Sequence, residues 1–85
     1  MMQEKMKSVK NDRLEPGTRV ALMSVPPGFL EGLPLHDKRA ITAVVGKPVL
    51  LVEYDEVGRA ELEFTDESGV IHSLYVRPEF IRSAE

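Results

Sequence analysis

Residues 49–76 read VLLVEYDEVGRAELEFTDESGVIHSLYV, and the reading of this stretch decides the fold. Residues 49–54 form an apolar run broken at Glu53, the pattern of a strand covered on both faces for part of its length. Residues 59–65 alternate, with Ala60, Leu62 and Phe64 on one face and Arg59, Glu61, Glu63 and Thr65 on the other, as a half-buried strand requires. Residues 70–76 make a third strand. The two connections share one chemistry, Asp55-Glu56-Val57-Gly58 and Asp66-Glu67-Ser68-Gly69. In each, Gly stands where a positive φ closes a short hairpin loop.

Upstream, Leu14-Glu15-Pro16-Gly17 marks a turn, and residues 18–25 read as a first strand with Val20 and Leu22 facing the core. Residues 26–35, PPGFLEGLPL, contain three prolines, which lack the N–H a central strand needs, so they form a long ordered loop. Residues 37–45 read as the one helix: Asp37 is placed as its N-cap, and Ala40, Ile41, Val44 and Val45 form its apolar stripe. Gly46 and Pro48 end it. Downstream, Pro78-Glu79-Phe80 fits a 3₁₀ turn, followed by a short strand at 81–83. The expected fold is mainly β: a small five-stranded barrel with one short α-helix between strands 1 and 2, whose closure removes free sheet edges.

The chain has 85 residues, enough for one modest core. The expected organisation is a flexible N-terminal tail over 1–13 and a barrel domain over 14–85. Cysteine is absent, so neither disulfides nor thiolate chemistry are available. No apolar run reaches the roughly 18 residues of a membrane span, and the N-terminus lacks the apolar core of a signal peptide. The expectation is a cytoplasmic protein with no membrane partner. Charge is divided unevenly. Residues 1–48 hold eight Lys/Arg against five acids, and residues 49–85 hold three against nine. The strand region is therefore acidic, which argues against nucleic acid as its partner, since that affinity rests on neutralising phosphates.

The layout resembles the SH3-like small β-barrel superfamily. The features that carry the likeness are GTRVAL as first strand, the PPGFLEGLP loop, VGKPVLLVEYDEVGRAELEFTDESG as meander, and YVRPEFI as turn and closing strand. The PPG-x-L-x-GLP loop and the VGKPV…YDE-x-GRAELEF block are also similar to those of a family of small, uncharacterised bacterial proteins. Barrels of the superfamily serve as protein-binding modules, RNA- or ribosome-associated modules, and accessory subunits of multi-subunit enzymes. Fold alone selects none of these. The chain departs from the peptide-binding SH3 pattern in having no Trp and no acidic-aromatic cluster in its long loop. It departs from RNA-binding barrels in its acidic meander.

Candidate chemistry is sparse. The two histidines, His36 and His72, stand 36 residues apart, a separation that matches no metal-ligand spacing. No serine has a nucleophile-elbow context. The expectation is a non-catalytic module without cofactor or metal, whose partner is another protein. Loops on a rigid scaffold are where binding concentrates. Pro26, Pro27, Phe29, Leu30 and Leu33 are therefore the candidate partner-binding loop, with the acidic outer face of 59–65 steering a basic partner.

Overall fold

Backbone punctuation and side-chain alternation divide the chain into seven short elements, which the computed structural model describes over residues 13–85. They are β1 (Arg19–Leu22), α1 (Leu35–Ala43), β2 (Pro48–Tyr54), β3 (Ala60–Thr65), β4 (Ile71–Val76), a 3₁₀ turn at Pro78–Phe80, and β5 (Ile81–Ser83). Of the tail expected over 1–13, residues 1–12 lie outside the described residues. Arg13 stacks its guanidinium over the Tyr54 ring, 3.6 Å from the centroid, and the Tyr54 hydroxyl donates to the Leu14 carbonyl at 2.8 Å.

The five strands make one antiparallel sheet in the order β4-β3-β2-β1-β5. The fold is mainly β, with one helix, as expected. Closure is not: β4 pairs only with β3, and β5 only with β1, so two edges remain where a barrel would have none. β5 is three residues long and pairs through one edge with β1; its other edge meets no strand among the described residues.

The two hairpins are built alike. In the first, Asp55 N–H donates to Arg59 C=O (2.8 Å), Gly58 N–H to Asp55 C=O (3.0 Å), and Asp55 Oδ1 accepts from Val57 N–H (3.0 Å) and Arg59 N–H (2.8 Å). Asp66, Ser68, Gly69 and Val70 repeat every one of these contacts in the second. Gly58 and Gly69 have φ of 89° and 87°, the left-handed position that a three-residue hairpin loop demands. The turn chemistry legible in the sequence is thus the chemistry present.

Residues 48–54 differ from expectation. Val49 and Leu51 are buried while Leu50 is exposed, so β2 is covered on one face and not on both. The register shifts between Leu51 and Glu53, and this bulge accommodates Val52 as an extra residue. Four apolar residues in a row therefore reflect a bulge and not a doubly buried strand. In β1, Val20 and Leu22 are buried as expected, and Ala21 is too. Ala21 lies between Pro48 and Arg82 on its two neighbouring strands, whose larger side chains shield a methyl group.

The helix begins and ends two residues earlier than the expected 37–45. Its N-cap is Pro34, with ψ of 150° and no side-chain cap, because Pro34 holds the fixed φ of a helix entry while its carbonyl accepts from Lys38 N–H at 3.0 Å. Asp37 is left in the first turn, where its charge still complements the helix dipole. Val44 and Val45 fall in the following turn but pack on the core with Ala40 and Ile41. Leu22, Leu51, Leu62 and Val20 form the fully buried centre.

Candidate functional site

Two places bring together groups with something to offer, and both involve β4. The first is its free edge. Asp66 N–H bonds to Val70 C=O, so residues 66 and 70 are a hydrogen-bonded pair. Such pairs recur at every second position of an antiparallel ladder. In the observed register, Phe64↔His72, Leu62↔Leu74 and Ala60↔Val76 are therefore the bonded pairs. Ile71, Ser73 and Tyr75 aim their backbone N–H and C=O groups away from β3, and no strand pairs with them among the described residues.

Beside that edge runs a groove of about 400 Å³. Phe29, Leu33, Ile41 and Leu74 give it apolar walls, and Asp37, Arg59, His72 and Tyr75 bring polar groups to it. The outer face of the sheet next to it is unusual in composition. Ile71 is 64% and Tyr75 42% exposed, and Leu50 is exposed as well. Glu53 stands directly opposite Glu61, a like-charge pair that destabilises an isolated sheet. The field of Glu61, with some burial and the further charges of Glu53 and Asp55, raises the Tyr75 phenol above its ordinary range. This face is apolar and mainly negative, with Arg59 as the cation beside it, its guanidinium 5.5 Å from the Tyr75 ring centroid.

Of the candidate loop residues, two line the groove and the others lie outside it. Phe29, Leu30 and Leu33 are half-buried and packed against the core. Phe29 and Leu33 line the groove, whereas Leu30 does not. Pro26 C=O accepts from Phe29 N–H at 3.0 Å, so this proline shapes the turn that carries Phe29. Pro27 is exposed. Leu35, by contrast, is 61% exposed at the start of α1.

The second place is a cluster that sequence spacing concealed. His36 on the first turn of α1 and His72 on β4 both reach Asp66 in the β3–β4 turn. Asp66 Oδ2 lies 3.1 Å from His36 Nε2 and 2.8 Å from His72 Nε2. The other oxygen, Oδ1, is used by the turn. Asp66 thus does with its second oxygen what Asp55 does with Arg59, at 2.7 Å, except that two imidazoles take the place of one guanidinium. Bonding to His72 first, then to the Val70, Ser68 and His36 donors, holds the Asp66 carboxyl well below the usual carboxylate range despite its partial burial. Phe64 stacks on His72 at 5.0 Å and 17°, fixing the ring plane. Asp37 faces the remaining His72 nitrogen, Nδ1, at 3.8 Å. The sequence signal for this cluster was the shared hairpin motif, with a histidine three residues past the glycine that ends the second loop.

Comparison with known proteins gives no matching family model, no similar curated protein and no similar solved structure. Among the described residues no helix is long and apolar enough to cross a membrane.

Proposed function

We propose that this chain is a non-catalytic interaction module of the SH3-like small-barrel kind, which takes an extended segment of a partner protein as an added strand on β4. The observation that carries the reading is the unpaired β4 edge lying beside an apolar groove. The strand order, with a 3₁₀ turn leading into β5, supports the SH3-like assignment.

In strand addition, main-chain bonds supply affinity and pockets for alternate side chains supply specificity. Here Ile71, Ser73 and Tyr75 offer the main-chain donors and acceptors. One face of the added strand lies over Phe29, Leu33 and Leu74, and the other continues the outer face at Ile71 and Tyr75. Glu53 and Glu61 select a basic segment, because opposite charge relieves their mutual repulsion and like charge adds to it. The partner segment is therefore extended, apolar at alternate positions and rich in Lys or Arg between them.

The test is an NMR titration with two synthetic peptides, one alternating Val and Lys, the other alternating Val and Glu. The expected result is shifts at the amides of Ile71, Ser73 and Tyr75 and at the Phe29 and Leu33 side chains, with the Lys peptide alone and weakening with salt. Shifts confined to another surface, or equal binding of the Glu peptide, overturn the reading.

A further inference from the structure

We propose that His36, Asp66 and His72 form a binding site for a divalent first-row transition ion of the zinc type, with Asp37 orienting His72 and water completing the coordination. The proposal does not rest on strand addition, although Asp37 and His72 also line the groove; it stands on the geometry of four side chains from α1, the β3–β4 turn and β4.

The donor set comes first. One coordinating atom from each of the three residues lies within 4.8 Å of the others. Zinc bound to nitrogen and oxygen at about 2.0–2.1 Å in a tetrahedron sets its ligand atoms roughly 3.3 Å apart. Asp66 Oδ2 already stands 3.1 Å and 2.8 Å from the two Nε2 atoms, a few tenths of an ångström inside that spacing, and His36 must swing to bring its nitrogen to the same spacing from His72, the three atoms now lying within 4.8 Å of one another. His36 is free to adjust, with 59% of its side chain exposed, whereas His72 and Asp66 are 9% and 7% exposed and held. Two fixed ligands and one adaptable ligand make a site that closes on its ion. Imidazole with carboxylate suits zinc and its neighbours, while magnesium and calcium take oxygen ligands throughout.

The fourth side chain distinguishes a metal site from a plain hydrogen-bonded clip. A neutral His72 has one ring proton. If that proton is on Nε2, donating to Asp66, then Nδ1 turns a lone pair towards the Asp37 carboxylate 3.8 Å away, which is repulsive. A metal on Nε2 places the proton on Nδ1, directed at Asp37. At 3.8 Å the two atoms stand just beyond hydrogen-bond distance, and a small turn of the partly exposed Asp37 carboxylate would complete the carboxylate–histidine–metal arrangement that fixes the tautomer and strengthens the ligand. Phe64, stacked on the ring, keeps both nitrogens in those directions.

Bound metal would tie α1 to the β3–β4 turn. The helix has only Ala40 and Ile41 buried, so this bond would be its strongest link to the sheet.

The experiment is calorimetric titration of the full chain with zinc chloride, beside thermal unfolding with and without the ion and a magnesium control. One zinc per chain is expected. At zinc a hundredfold above Kd, the unfolding midpoint should rise by about 10 °C or more, with no change from magnesium. His36→Ala, at an exposed position, should fold normally and lose at least tenfold in zinc affinity. Asp37→Asn should lose about 10–100-fold while leaving the stoichiometry at one. Cobalt substitution should give visible absorption bands of tetrahedral intensity in the native chain and not in His36→Ala. Absence of zinc binding, or His36→Ala binding zinc as tightly as the native chain, overturns the proposal and leaves the hydrogen-bonded clip. Asp37 and His72 belong to both places, so zinc is titrated without peptide and peptide without zinc, and each reading fails on its own result.

Discussion

Proline substitutions at Ser73 and Leu74 test the orientation of β4, on which the docking surface depends. Ser73 is exposed, stands opposite Glu63 in the register, and directs its N–H outward. Proline there removes a donor that the β3–β4 ladder does not use. Edge strands tolerate such a residue, and the extended conformation it imposes on His72 is the one a strand already has. The expected cost is about 1 kcal/mol or less, from forcing φ to the proline value. For a domain of this size that moves the unfolding midpoint by roughly 4–8 °C at most. Leu74 is one residue further on and pairs with Leu62 through the ladder. Proline at 74 deletes a ladder bond, strands the Leu62 carbonyl, and replaces a core side chain that is 5% exposed. The backbone effect alone is about 3 kcal/mol, and losing a buried leucine adds about 2 kcal/mol or more. A core of this size supplies only about 3–5 kcal/mol in total, so Leu74→Pro should be unfolded at room temperature. Circular dichroism melts of both variants read the difference directly. In the peptide titration, Ser73→Pro should also lose about tenfold or more in affinity, one main-chain bond being worth about 1 kcal/mol and the ring adding a clash. If Ser73→Pro unfolds as completely as Leu74→Pro, then the N–H of residue 73 is used within the fold and the free edge is not where we place it.

Two further outcomes follow from the core and from the first hairpin. Leu62→Ala, at the fully buried centre between Leu51 and Leu74, should cost about 2–5 kcal/mol and lower the urea midpoint by most of its native value, whereas Leu50→Ala on the outer face should change it little. Asp55 is raised by burial but lowered more by the Arg59 N–H, the Arg59 guanidinium and the Val57 N–H, for a net shift below its ordinary value. A carboxyl depressed on folding contributes stability that is present above about pH 4, the unfolded value, and is lost as pH falls through the folded one. Asp55→Asn should therefore narrow the stability gap between pH 7 and acid. An unchanged acid limb in a urea series would show that the hairpin acceptor does no such work.

What the sequence determined by itself was everything settled within a few residues of chain. The alternation at 59–65, the two Asp-x-x-Gly loops and the proline-bounded 3₁₀ turn are local, because side-chain period and backbone φ depend on neighbours in sequence. The burial of Val20, Leu22, Leu62 and Phe64 followed from the same periods. Helix boundaries were less legible: Asp37 looked like a cap, but Pro34 has the fixed φ and the free carbonyl that start the helix earlier. The bulge at Val52 made a one-sided strand resemble a two-sided one. Tertiary structure alone decided the rest. Whether β5 meets β4 depends on how far the whole sheet curls, which no local pattern reports. Whether Phe29 and Leu33 are anchors or walls depends on what the loop folds against. His36 and His72 are 36 residues apart in the chain and meet across one Asp66 oxygen because α1 begins beside the β3–β4 turn. Spacing rules describe ligands that come in close pairs along the chain, whereas positions 36, 66 and 72 are brought together only by the packing of helix on hairpin.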